Sequence, residues 1–296
     1  MKAHVTVTLL AALSAVTPAS ISAQSDILVS TEWVADRLQD PSLVLLHVGN
    51  IESFQEAHIP GARLVEMAEF APEANGLATE MPDAAALRDA LERAGVSSDS
   101  RVVVYSATTP PQVAARLYLT LEHFGLTANS SMLDGGLSAW RAEDRQVSTE
   151  PVTDRRGNLP ELRPGTDLVV EHDFVAARIA DGTATVVDAR DRGYWTGEQH
   201  LAMRAARRGR IPGARNIPFR ELVDEQGRMH PVNRLASIFR EAGVDEGEPV
   251  VVYCHVGQQA SLTSLAAKVL GKVVKLYDGS YQDWSNRMEL PVETGQ

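Results

Sequence analysis

The sequence predicts an α/β protein of two tandem domains of one design, each a parallel sheet flanked by helices. Three observations predict it. First, the chain is written twice. His58-Ile59-Pro60-Gly61-Ala62-Arg63, Arg101-Val102-Val103-Val104-Tyr105-Ser106 and Asp134-Gly135-Gly136-Leu137-Ser138-Ala139-Trp140 recur in the same order in the second half. Their counterparts are Arg210-Ile211-Pro212-Gly213-Ala214-Arg215, Pro249-Val250-Val251-Val252-Tyr253-Cys254 and Asp278-Gly279-Ser280-Tyr281-Gln282-Asp283-Trp284. Second, strand-like and helix-like segments alternate within each copy, the pattern of parallel strands joined by right-handed helical crossovers. Third, residues 150–165 carry three prolines and several charges with little apolar periodicity, as a linker does.

The elements follow in order. In the first copy (residues 25–149) the patterns predict a helix from Trp33 to Leu38, a strand from Leu43 to Val48 and a helix from Asp83 to Ala94. A strand from Val102 to Tyr105, a helix from Gln112 to His123 and a strand from Ser131 to Leu133 complete it. In the second copy (residues 166–296) they predict a helix from Asp173 to Ile179, a strand from Ala184 to Val187 and a helix from Asn233 to Ala242. There the cycle closes with Val250 to Tyr253, the helix Ala260 to Leu270 and the strand Val273 to Tyr277. An insertion from Trp195 to Arg210 reads as a further helix over Glu198 to Arg208, with Arg204, Arg207 and Arg208 along one side. Those arginines form either an ordinary solvated face or a local positive patch.

Length and composition set bounds. The 296 residues suffice for two ordinary domains, and 44% hydrophobic with 23% charged residues is a globular balance. A formal net charge of −11 disfavours nucleic acid as a partner. Residues 1–23 read as a secretory signal: Lys2, then a mostly apolar stretch from Val5 to Val16, then Ile21-Ser22-Ala23 as a small-residue cleavage site. That stretch is short and interrupted by Thr and Ser for a membrane span, so no stable membrane association is expected, with an uncleaved N-terminal anchor as the alternative. The expected location is periplasmic or secreted. The eight histidines are scattered without metal-ligand spacing, so no metal and no other cofactor is expected.

Against that background Cys254 is the most informative residue, because it is the only cysteine. It ends an apolar strand and is followed by His255-Val256-Gly257-Gln258-Gln259 and then by a helical pattern. Such a loop turns backbone N–H groups and the positive end of a helix dipole toward the sulfur, which predicts a lowered thiol pKa. With no partner for an intramolecular disulfide, the thiol is either inert and buried or chemically active. The first copy carries Ser106 at the same position, so strand and turn form without the sulfur.

The duplicated Ile-Pro-Gly-Ala and Asp-Gly-x-x-x-x-Trp blocks and the Tyr-Cys-x-x-Gly loop together resemble the rhodanese family of sulfurtransferases, in its two-domain arrangement, over nearly all of the chain beyond the leader. The resemblance implies two tandem rhodanese-like domains, with an inactive first copy and a catalytic second one. It implies that Cys254 attacks the outer sulfur of a small anionic donor and holds it as a persulfide. A thiophilic acceptor, cyanide or a thiol, then takes the sulfur. The loop His255, Val256, Gly257, Gln258 and Gln259 would aim N–H groups at the developing charge. Ser261 and Ser280 are substrate-binding candidates or, equally, local caps. Asp188-Ala189-Arg190 matches the family's Asp-x-Arg motif, with Asp188 structural. Arg190 and Arg192 are candidates for gripping an anionic donor by two parallel bonds.

The pattern also departs from the family. Thiosulfate-type members carry a basic pair after the cysteine and mercaptopyruvate-type members a small Gly-Ser or Gly-Thr, whereas this chain has His255-Val256. The possible cation at His255 and the arginines favour thiosulfate, with 3-mercaptopyruvate and a non-turnover persulfide carrier as the alternatives. The related phosphatase chemistry needs an arginine six residues after the cysteine, and Ala260 stands there. The family's substrate-binding arginine falls at Tyr194 here, two residues beyond Arg192.

Overall fold

The computed structural model describes residues 27–150, 152 and 155–295, so the leader expected at 1–23 lies outside the described residues. It contains two five-stranded parallel sheets of the same order. The first runs β1 (Leu28–Val29), β5 (Ser130–Leu133), β4 (Arg101–Ser106), β2 (Leu43–Val48), β3 (Arg63–Val65). The second runs β6 (Val169–Val170), β10 (Val274–Tyr277), β9 (Val250–Tyr253), β7 (Thr185–Asp188), β8 (Arg215–Asn216). All strand pairs are parallel, with β4 and β9 central in their sheets.

Strand alternation sorts the side chains of the central strands. Val102 and Val104 face one apolar core while Val103 and Tyr105 face another, and Val250 and Val252 are likewise separated from Val251 and Tyr253. The core that takes Val104 and Val252 is continuous across both copies. It is filled by two helices, Gln112–His123 and Gln258–Val269, whose Leu117, Leu121, Leu262 and Leu265 are all buried in it. Both helices are buried nearly all round, as expected of elements sandwiched between two sheets. The period of two carries one residue further: Cys254 shares the inter-copy core with Val250 and Val252. The thiol thus faces the other copy.

The duplicated blocks are explained by repeated bonds. The Ile59 N–H donates to the Tyr105 hydroxyl at 3.0 Å, and the Ile211 N–H donates to the Tyr253 hydroxyl at 3.1 Å. Trp140 and Trp284, the ends of the Asp-Gly blocks, are buried with their indole N–H bonded to the carbonyls of Gln146 and Pro291. The described part of the connecting stretch is strapped onto the first copy. There Gly157 N donates to Glu92 O at 2.7 Å, and Leu159 and Leu162 are buried.

One expected element is absent. Residues 198–208 form turns and bends in place of a helix. Arg207 turns inward and donates to the carbonyls of Ser285, Leu290, Trp284 and Arg287. Arg208 donates to Gly197 O and Glu198 O. Satisfying backbone acceptors around the last helix, Ser280–Asn286, outweighs the weak helical pattern of the insertion. Among the described residues no helix is long and apolar enough to cross a membrane.

Candidate active site

Cys254 directly follows β9, at the carboxyl end of the sheet, where parallel α/β sheets place their sites. The helix Gln258–Val269 begins four residues later, behind Gly257 in the left-handed region at φ 88°. The backbone N–H groups of Ala260, Val256, Gln259 and Gly257 surround the sulfur and favour its charged form. The Cys254 N–H donates to Ser280 Oγ at 3.1 Å, and its carbonyl accepts from Tyr281 N at 3.0 Å. Every part of the residue is held.

The electrostatics correct one expectation. The thiol is fully buried, and that burial pushes its pKa up, not down. The four N–H groups act in the opposite direction but do not outweigh the loss of water. The ring therefore favours negative charge on sulfur inside a site that resists charge. Such a ring is preorganised for a thiolate or persulfide formed there.

His255 also differs from expectation. Its ring is buried edge-on to Tyr194 at 4.6 Å between centroids, and its Nδ1 has no hydrogen-bond partner among the described residues. Burial, with the Arg190 charge next in weight, lowers its pKa to about 4, so it is neutral at pH 7 and supplies no cation. Gln258 reaches the first copy, its Nε2 lying 3.4 Å from Met67 Sδ, while Gln259 Oε1 is buried without a partner among the described residues. Ser261 donates to Gly257 O at 2.9 Å and Ser280 donates to Tyr277 O at 2.9 Å. Both hydroxyls thus fasten backbone.

The two arginines part company. Arg190 is 2% exposed and is clamped on Asp188 by Nε at 2.9 Å and Nη2 at 2.5 Å, with Nη2 also on Gly209 O. It lies over the Tyr281 ring, 4.2 Å from the centroid. In this state Arg190 neutralises Asp188, which also accepts from Tyr253 OH at 2.7 Å. Arg192 is exposed, and it lines a surface pocket with Trp195, Arg215, Glu221, Arg234 and Glu241 beside the edge strand β8. Neither Cys254 nor any residue of its loop lines that pocket.

Sequence reasoning missed what the first copy contributes. Thr79 donates to Val256 O, and Arg116 forms a buried ion pair with Asp278 while its Nη2 donates to Thr79 O at 3.1 Å. Ala78 N donates to Gln282 Oε1 at 3.1 Å, and Gln282 Nε2 donates back to Gly76 O at 3.2 Å. The exchange is mutual: Met229 N of the second copy donates to Asp134 Oδ1 at 2.8 Å in the first. One signal did exist in the sequence. A single arginine inside the apolar run Val113-Ala114-Ala115-Arg116-Leu117-Tyr118-Leu119 demands a buried partner.

Chain spacing also hid a cluster. Glu171, His172 and Asp283 each bring a ligand-capable atom within 4.8 Å of the others. Asp283 already accepts from Tyr277 OH and Arg287 Nε.

Beside this seam Glu80 has a buried Oε1 with no hydrogen-bond partner among the described residues. Burial, then the nearby Asp278 carboxylate, raises its pKa from 4.5 to about 7, with Glu171 and Asp283 adding and Arg116 opposing. An acid whose folded pKa is raised holds its proton longer than the unfolded chain does. Its stability contribution is therefore intact below pH 4.5 and is lost as pH rises through about 7. Glu80→Gln should raise the thermal midpoint at pH 8 and leave it unchanged at pH 4.5. The gain at pH 8 should be about 1–2 kcal/mol, reduced by the carboxyl's partial contact with solvent. An equal effect at both pH values would refute this account.

Comparison with known proteins agrees with the geometry. The Rhodanese-like domain model matches twice, over residues 30–143 and 171–287. A Mycolicibacterium smegmatis protein provisionally named a thiosulfate sulfurtransferase is 30% identical over 281 residues, covering 92% of this chain and 99% of that one. The 3-mercaptopyruvate sulfurtransferase of Escherichia coli K12 is 30% identical, with 90% and 97% covered. The sulfur carrier protein TtuD of Thermus thermophilus is 29% identical, with 93% and 99% covered. Among solved structures, an anaerobic ergothioneine biosynthesis enzyme from Chlorobium limicola superposes with a TM-score of 0.82 at 21% identity. That match covers 92% of this chain and 71% of that one, and shows a shared fold. Twin parallel sheets, a cysteine at the end of the second central strand and a family match to each copy make this chain a tandem member of the rhodanese-like family of sulfurtransferases.

Proposed function

We propose that the protein transfers sulfane sulfur from a small anionic donor, thiosulfate, to cyanide or a thiol through a persulfide on Cys254. The observation that carries this reading is the enclosed sulfur with four backbone N–H groups directed at it. The Cys254 thiolate attacks the outer sulfur of thiosulfate, the S–S bond breaks, and sulfite departs with the bonding pair. The acceptor then attacks the outer persulfide sulfur, so cyanide leaves as thiocyanate and the thiolate is restored. The cycle is redox-neutral.

A second donor has its own support. The active loop holds no cation at neutral pH, because His255 is uncharged. A neutral loop suits a carboxylate donor such as 3-mercaptopyruvate, the substrate in the name of the Escherichia coli relative. Thiosulfate, 3-mercaptopyruvate and glutathione persulfide assayed side by side decide between them. Under the main reading thiosulfate gives the highest kcat/KM with cyanide, and a higher value for 3-mercaptopyruvate would overturn it. Mass spectrometry showing one added sulfur without product release would instead identify a carrier. We place this chemistry in the periplasm or outside the cell, on the strength of the leader-like residues 1–23.

A further inference from the structure

The copy without a cysteine reaches into the copy that has one. Thr79 is buried, and its hydroxyl donates to the Val256 carbonyl. In a planar trans peptide the C=O and N–H of one unit point in opposite directions. The Val256 carbonyl and the Gly257 N–H belong to one such unit, and that N–H is one of the four that favour charge on the Cys254 sulfur. Holding the carbonyl outward on Thr79 therefore aims the N–H inward. Bonding at the oxygen also polarises the unit and strengthens its N–H as a donor.

The loop is braced from behind by the same copy. A Cβ at Gly257 would lie 2.6 Å from Asp278 Oδ1 and 3.1 Å from Arg116 Nη1, so the loop rests flat on the Arg116–Asp278 pair. Because Arg116 also holds the Thr79 carbonyl, one guanidinium supports both the wall behind the loop and the residue that orients it.

We propose that Thr79 is a positioning residue for Cys254. From the cysteine-free copy, it orients the Val256–Gly257 peptide and so sets how readily the thiol ionises. This deepens the sulfurtransferase reading and rests on it only for the consequence to turnover.

The test uses the full chain and follows alkylation of Cys254 by iodoacetamide across pH. Thr79→Val keeps the shape and removes the hydroxyl, and Thr79→Ser restores it. Lys268→Met removes an ion pair between the copies (Nζ to Glu122 Oε1, 2.6 Å) that is remote from the loop. Thr79→Val should shift the alkylation profile to higher pH and slow the reaction at pH 7 about three- to tenfold. The serine variant and Lys268→Met should follow the wild type. Where turnover is measurable, kcat should fall in Thr79→Val with KM for the donor unchanged. A Thr79→Val profile that superposes on the wild type would overturn the proposal, as would an equal shift in Lys268→Met. Thr79→Ala serves the same purpose if the valine variant does not fold. Alkylation needs no sulfur donor, so a wild type inactive with every donor would defeat the sulfurtransferase reading alone.

Discussion

Cys254→Ser should abolish sulfur transfer, lowering turnover by about three orders of magnitude or more, while the protein stays folded. The chemistry requires a soft nucleophile that ionises within the site and accepts a second sulfur. A hydroxyl in the same ring of N–H groups stays protonated at neutral pH and forms no stable bond to sulfane sulfur. Folding is spared because the first copy already carries the substitution: Ser106 ends β4 as Cys254 follows β9, buried in the matching place. The thermal midpoint should therefore correspond to a change of about 1 kcal/mol or less. Since no other cysteine exists, alkylation should also fall to zero. Thiocyanate formation that persists in this variant would place the reacting sulfur elsewhere and end the persulfide mechanism.

Arg116→Met should be the most destabilising single change. The guanidinium is fully buried, and its partner Asp278 is nearly so. Two bonds join the pair and a third reaches Thr79 O. Removing the cation strands a carboxylate in the core between the copies, beside the already strained ionisation of Glu80. The cost of breaking such a pair is about 3–5 kcal/mol, read as a lowered urea midpoint or melting temperature. The double variant Arg116→Met with Asp278→Asn should recover part of the loss, because the charge that was left unpaired is gone. A loss below about 1 kcal/mol would mean that solvent reaches the pair.

The regular elements that sequence reading placed best are the ones with the longest apolar signals. The strands Leu43–Val48 and Val250–Tyr253 and the helix Gln112–His123 appear with the expected bounds. The two-residue edge strands β1, β6 and β8 and the three-residue β3 were missed, because so few residues carry no readable periodicity. The expected helix over Glu198 to Arg208 failed for another reason: Arg207 has four carbonyls to satisfy elsewhere in the fold.

The site divides along the same line. The candidate thiol, its loop and the carboxyl-end placement were legible because strand, glycine turn and helix follow one another in the chain, and because Ser106 provided an internal comparison. Charge states and partners were not. The motif offers Arg190 as a substrate-binding candidate, and only the structure shows its guanidinium held by Asp188. In the sequence His255 reads as a possible cation, yet burial keeps it neutral.

By itself the sequence determined the duplication, the α/β class and the position of the single thiol, since each is a local or repeated property of the chain. The tertiary structure alone decided how that sulfur is governed. Burial reverses the sign of its pKa shift, and Thr79 and Arg116 arrive from the other copy. The physical reason is that desolvation and ion pairing depend on which groups the packed sheets bring together, and no spacing along the chain encodes that.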